Sequence, residues 1–207
     1  MIKTKEIKFN YDNQVFFKFH DINLESGENL LIIGNSGIGK TTLLHLLSGL
    51  LKSNSGSIEL FGKELTKLSS FQLDIFRRDN IGIVFQKPHF VNSLTVKENL
   101  ELAQYIANKK DNKRIENILK NLNVFDKLNK KTNQLSQGEK QRVSIALAIV
   151  NSPKLILADE PTSSLDDDNC SNVIKLLKKQ ATDFGAQLIV ITHDSRLKKH
   201  FKKSIEL

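Results

Sequence analysis

Residues 34–41 read Gly34-Asn35-Ser36-Gly37-Ile38-Gly39-Lys40-Thr41, and the rest of the chain is organised around them. The stretch fits the phosphate-binding pattern G-x-x-x-x-G-K-[ST]. A short apolar segment, Asn29-Leu30-Leu31-Ile32-Ile33, precedes it, and Thr42-Leu43-Leu44-His45-Leu46-Leu47 follows it with helical character. Strand, glycine-rich turn and helix form the context in which the pattern carries meaning. The glycines let the backbone curl so that several N–H groups point at one anion. The helix start adds unpaired N–H groups and the positive end of its dipole. Lys40 supplies a point charge for the outer phosphates, and Thr41 a hydroxyl for Mg²⁺. The stretch predicts a nucleoside triphosphate site.

Composition narrows the class. The chain has 207 residues, 39% hydrophobic and 26% charged, enough for a real core in a globular protein. Its single cysteine, Cys170, excludes an internal disulfide framework and reads as structural. Residues 1–7 lack the apolar core of a secretory leader, and no run approaches the roughly 18 apolar residues of a membrane span. The formal net charge of +8 comes from scattered lysines without interleaved aromatics. It reads as a solvated basic surface, with an anionic membrane surface nearby as the other reading, and direct nucleic-acid contact is not expected.

Periodicity places the other polar residues. Ile7, Phe9 and Tyr11 alternate with polar residues, as do Val15, Phe17 and Phe19, predicting antiparallel strands joined at Asp12-Asn13. A helix is expected over 41–51, a strand over 57–61, a helix over 69–78 ended by residues 77–80, and a strand over 81–85 with Gln86 at its C-terminal end. Residues 87–150 then lose strand character, and helices are expected over 96–107, 114–122 and from Ser136 to Val150. Ser136 and Glu139 have the S-x-x-E spacing of a capping box, with Gly138 leaving the first turn open. The apolar strand 154–158 ends in Asp159-Glu160. Two carboxylates there suit two jobs, holding Mg²⁺ and orienting an attacking water. A helix runs from Asp167 to about Gln180, and a last apolar strand, 187–192, ends at His193. In open α/β sheets ligands lie beyond the strand C-termini, so Gln86, Asp159, Glu160 and His193 are placed to meet the phosphates.

Taken in order, GNSGIGKTT, the glutamine of VFQ, LSQGE, LILADEP, SSLD and ITHD resemble the ABC-type ATPase domain, the nucleotide-binding subunit of ATP-binding cassette transporters. The resemblance covers essentially the whole chain. It implies an α/β fold: a P-loop NTPase (RecA-like) core, an N-terminal antiparallel β subdomain and an inserted α-helical subdomain. Residues 1–86 and 151–207 would form the core and β subdomain, and 87–150 the helical subdomain. Tyr11 would stack on adenine, and Gly34, Asn35, Ser36, Gly37, Ile38, Gly39, Lys40, Thr41 and Thr42 would hold the phosphates of ATP. Thr41 and Gln86 would ligate Mg²⁺, with Asp159 acting through water. Glu160 would be the general base, His193 would contact the γ-phosphate, and Asp166 would communicate across a dimer.

The resemblance further implies a homodimer enclosing two ATP molecules, in which Ser136, Gln137, Gly138 and Glu139 of one copy complete the site of the other. Two residues depart from the usual LSGGQ: Gln137 adds a side chain, and Glu139 places a carboxylate near phosphate that would have to point away or be screened by Lys140 or Arg142. Residues 62–100 are most similar to the lipoprotein-release and macrolide-export type. That similarity implies a separate membrane permease, docked near Phe85, His89, Phe90 and Val91, and a place on the cytoplasmic face of the membrane. The alternatives are a soluble ABC ATPase acting on nucleic acid or ribosomes, for which only the charge speaks, and a P-loop phosphotransferase, against which the LSQGE segment and His193 speak.

Overall fold

The computed structural model describes residues 1–11, 15–163 and 167–207. Its elements are β1 (Ile2–Tyr11), β2 (Val15–Lys18), β3 (Asn23–Leu24), β4 (Leu30–Ile33), α1 (Lys40–Leu47), β5 (Ser55–Leu60), β6 (Lys63–Glu64), α2 (Ser70–Asn80) and β7 (Ile81–Val84). There follow α3 (Val96–Ile106), α4 (Asn112–Asn121), α5 (Gln137–Ile149), β8 (Leu155–Asp159), α6 (Asp167–Asp183), β9 (Gln187–Thr192) and β10 (Ser204–Glu206). β2, β1, β5 and β6 form an antiparallel sheet with β3 added to β1, and β10, β4, β9, β8 and β7 form a parallel sheet in that order.

The apolar runs have a simple cause. The parallel sheet is covered on both faces, so β4, β8 and β9 are buried at every position and apolar except at the strand ends. Leu30 and Ile32 of β4, Leu155 and Leu157 of β8, and Ile189 and Ile191 of β9 pack with α1 and the antiparallel sheet. Their neighbours Leu31, Ile33, Ile156, Ala158, Leu188 and Val190 pack with residues of α3, α4, α5 and α6. The fold is the expected α/β P-loop NTPase architecture, with antiparallel strands before the phosphate loop and helices between β7 and β8.

Several expected boundaries shift. α1 stops at Leu47, and residues 48–51 turn back with Leu50 and Leu51 N–H groups both donating to His45 O. Arg77, Arg78, Asp79 and Asn80 lie inside α2 rather than ending it, and Ile81 caps the helix while opening β7. Phe61 falls outside β5, in a left-handed conformation (φ 53°). β6 and β10 were not expected, being two or three residues long and too short for a periodic signal. No helix among the described residues is long and apolar enough to cross a membrane. Cys170 is buried, as its structural reading requires.

Candidate active site

The strand order brings the predicted residues to one edge. β4, β9, β8 and β7 lie side by side and parallel. The phosphate loop leaves β4, His193 follows β9, Asp159 ends β8 with Glu160 next, and Gln86 follows β7. A cavity of about 620 Å³ opens there, lined by Phe17, Asn35, Ser36, Gly37, Gly39, Lys40, Thr41, Thr42, Gln86, Glu160 and His193.

The loop's shape needs glycine at Gly39. It precedes α1 with φ 100°, and a Cβ there would come within 2.6 Å of the Phe17 ring. The antiparallel sheet thus presses directly on the turn that opens α1. At the loop's other end Gly34 N–H donates to Thr192 O, 3.2 Å away, and Leu207 N–H donates to Ile33 O at 2.8 Å. Lys40 is buried and donates to the Gly34 and Asn35 carbonyls, both at 2.8 Å.

Glu160 is the hub. Its side chain is only 9% exposed. Oε1 lies 3.6 Å from Lys40 Nζ and 2.8 Å from His193 Nδ1, and the Thr192 hydroxyl donates to Oε2 at 2.8 Å. The His193 N–H also donates to Oε1, at 3.1 Å. The backbone of Glu160 is left-handed (φ 46°), uncommon for a residue with a side chain and found where surrounding structure fixes a functional group.

Asp159 sits behind the cavity wall. Thr41 Oγ1 donates to its Oδ2 at 2.9 Å, while Oδ1 is buried and lacks a hydrogen-bond partner. Burial holds its pKa above the ordinary aspartate value, against the pull of the Thr41 hydrogen bond. Tyr11 stands at the rim, 44% exposed, its hydroxyl 3.3 Å from Thr42 Oγ1. Its ring meets Phe9 and Phe17 edge-on, and Phe17 rather than Tyr11 lines the cavity. Phe17 is the site residue that sequence reading missed, although its alternation with Val15 and Phe19 already put it on a sheet face.

Ser136 to Glu139 lie elsewhere. They open α5 with a complete capping box: Glu139 N–H donates to Ser136 Oγ at 3.4 Å, and Ser136 N–H donates to Glu139 Oε2 at 2.7 Å. Gly138 has open space, with Arg142 as the nearest group to an added Cβ at 3.6 Å. The screening of Glu139 differs from expectation. Its ion-pair partner is Lys127, 3.3 Å from Oε1, rather than Lys140 or Arg142. Hydrogen bonds from Ser136, seconded by Lys127, hold the carboxyl below the usual glutamate pKa. Gln141 Nε2 donates to Pro161 O at 3.2 Å, tying α5 to the loop after Glu160. Asp166 lies outside the described residues.

A second cavity, about 260 Å³, lies between α2, β7 and α5. Arg78, Ile83, Phe85, His89, Leu147 and Asn151 are among its walls. Phe85 and His89 meet edge-on with ring centres 5.1 Å apart.

Comparison with known proteins agrees with this geometry. The family described as "ABC transporter" matches residues 17–163. The chain is 41% identical to the lipoprotein-releasing system ATP-binding protein LolD of Buchnera aphidicola, over 84% of this chain and 78% of that protein. It is 38% identical to the macrolide export ATP-binding/permease protein MacB of Campylobacter jejuni, over 100% of this chain but only 33% of that protein. Among solved structures, the dimeric ABC transporter cassette MJ0796 superposes with a TM-score of 0.89 at 33% identity, covering 100% of this chain and 94% of that one. The same cassette is known in a post-hydrolysis state bound to ADP and Pi. The chain belongs to the ABC transporter family, as one of its ATP-hydrolysing cassettes.

Proposed function

We propose that two copies of this chain enclose two ATP molecules and that their closing and reopening drives a separate membrane permease. The observation that carries this reading is a separation. Among the described residues, those lining the phosphate-loop cavity do not include Ser136, Gln137, Gly138 or Glu139. A helix start with a complete capping box stands outside the cavity of its own chain. In a dimer it would face the γ-phosphate held by the other copy. The dimeric arrangement of the MJ0796 cassette supports the same reading.

Within one copy, residues 1–86 and 151–207 act as core and β subdomain and 87–150 as helical subdomain. ATP enters beside Phe17 and Tyr11, and its phosphates take the N–H groups of residues 34–42. Lys40 exchanges the Gly34 and Asn35 carbonyls for the outer phosphates. That exchange also loosens its pairing with Glu160, freeing the carboxylate to accept a proton from the attacking water. His193 Nδ1 lies in hydrogen-bond contact with Glu160 Oε1. That contact would orient the ring toward the place the γ-phosphate would take. The residues also fit Mg²⁺. The Thr41 hydroxyl, the Gln86 amide oxygen and the partnerless Asp159 Oδ1 are hard oxygen donors, and Oδ1 is a buried acceptor that otherwise gains nothing. The cation would neutralise phosphate charge.

The permease reading rests on the groove at Phe85 and His89, an apolar floor edged by Arg78 and Asn151, suited to a short amphipathic helix. It places the chain at the cytoplasmic face of the membrane. The similarity to LolD and MacB supports a partner of the lipoprotein-release or macrolide-export type.

Glu160→Gln tests the assignment. Turnover should fall by at least about 100-fold, the ordinary contribution of a general base. ATP binding should persist, and a dimer should accumulate with ATP in sedimentation velocity. Normal phosphate release by this variant contradicts the role given to Glu160.

A further inference from the structure

We propose that Lys127 is the counter-charge that allows a carboxylate to stand at position 139, and that it thereby sets how tightly ATP joins two copies. The proposal rests on the two-copy reading. Ser136 N–H pins Glu139 Oε2 at 2.7 Å, so the carboxylate is fixed within the first turn of α5. Any phosphate that approaches this helix start also approaches that negative charge. Like charges at such range repel, and the free N–H groups of the turn would be working against their own neighbour.

The remedy lies 12 positions earlier in the chain. Lys127 Nζ is 3.3 Å from Glu139 Oε1 and 2.8 Å from Asp126 Oδ2, so one ammonium spans two carboxylates. Its backbone is held. Lys127 N–H donates to Val124 O at 3.1 Å, Lys130 N–H donates to Lys127 O at 2.8 Å, and Lys97 N–H donates to Leu128 O at 2.9 Å. The lysine therefore stands on a turn fastened to α3, and it reaches α5 from a different segment. Both charges are partly buried, Lys127 at 31% and Glu139 at 19% exposure, so water screens them incompletely. Lys127 is a positioning residue here: it keeps Oε1 occupied and offsets its charge. It does not line the phosphate-loop cavity of its own chain.

The test is a double-mutant cycle in the Glu160→Gln background, read as the ATP- and Mg²⁺-dependent dimer dissociation constant by sedimentation velocity. Lys127→Met keeps the aliphatic stem and removes the charge. It should weaken the dimer by roughly 2- to 30-fold, the range for two copies of a partly exposed ion pair, with the loss shrinking at high salt. Lys127→Arg should restore tight association. Glu139→Gln keeps an oxygen for Ser136 N–H without the charge, and in that background Lys127→Met should have little effect. A purely structural lysine would instead lower the melting temperature equally in both backgrounds. A parent that fails to dimerise removes the two-copy reading and this proposal with it. A parent that dimerises while Lys127→Met changes nothing, or costs as much beside Glu139→Gln, overturns this proposal alone.

Discussion

The edge of the parallel sheet and the start of α5 handle charge in opposite ways. At the sheet edge, Lys40, Asp159 and Glu160 are all under a tenth exposed, and each meets a group from another segment: Lys40 meets Glu160, Asp159 meets Thr41, and Glu160 meets Thr192. At α5, Ser136 and Glu139 satisfy each other within one turn and meet solvent. Buried charges held by many partners are positioned in advance, at a cost in desolvation that the surrounding core has to sustain. A self-capped helix start keeps its local order without a partner and can still offer N–H groups to one. One region is a finished pocket wall, and the other is a self-capped surface that gains its role, on the two-copy reading proposed above, against a second molecule.

Damage to the first region should be the more severe. Gly39→Ala adds left-handed strain and drives a Cβ into Phe17. The loss should be about 2–5 kcal/mol of stability, together with most ATP affinity, read by chemical denaturation and nucleotide binding. Stability and affinity unchanged by this substitution would mean that the loop is not held from the antiparallel sheet.

A subtler contrast lies in pH. The Asp159 pKa is raised by burial, so the folded chain binds a proton that the unfolded chain has already released. Stability attributable to this group is therefore greatest below the ordinary aspartate pKa and falls as pH rises toward the folded value. Glu139 has the opposite sign: its lowered pKa gives stability that is present above the ordinary glutamate value and lost in more acidic solution. The melting-temperature difference between the wild-type chain and Asp159→Asn, followed from pH 3 to pH 7, should therefore move against the wild type as pH rises. Mg²⁺-ATP should reverse that trend. A flat difference would show that the buried carboxylate is not destabilising.

Much of the sheet edge was legible because doubly covered strands leave an unbroken apolar run. The polar residues that end such a run are conspicuous, as with Asp159 after residues 155–158 and Thr192-His193 after residues 188–191. The cap at Ser136 was legible because its two partners are three residues apart. What escaped was set by distance in space. Phe17 belongs to the cavity only because β2 folds over Gly39. Lys127 pairs with Glu139 across two separate segments, and among 31 lysines and arginines nothing marks it in advance. β10 is three residues long, and only its pairing with β4 defines it.

The central claim is that a working site is shared between two copies. Mixing two inactive variants tests it most directly. Lys40→Ala disables the phosphate loop and leaves α5 intact, and Ser136→Arg blocks the start of α5 and leaves the loop intact. In a mixed pair, the sound loop of one chain faces the sound helix start of the other. Phosphate release by the mixture should exceed the sum of the two variants measured alone. A mixture no more active than that sum would mean that each chain needs its own Ser136, and would contradict the shared site.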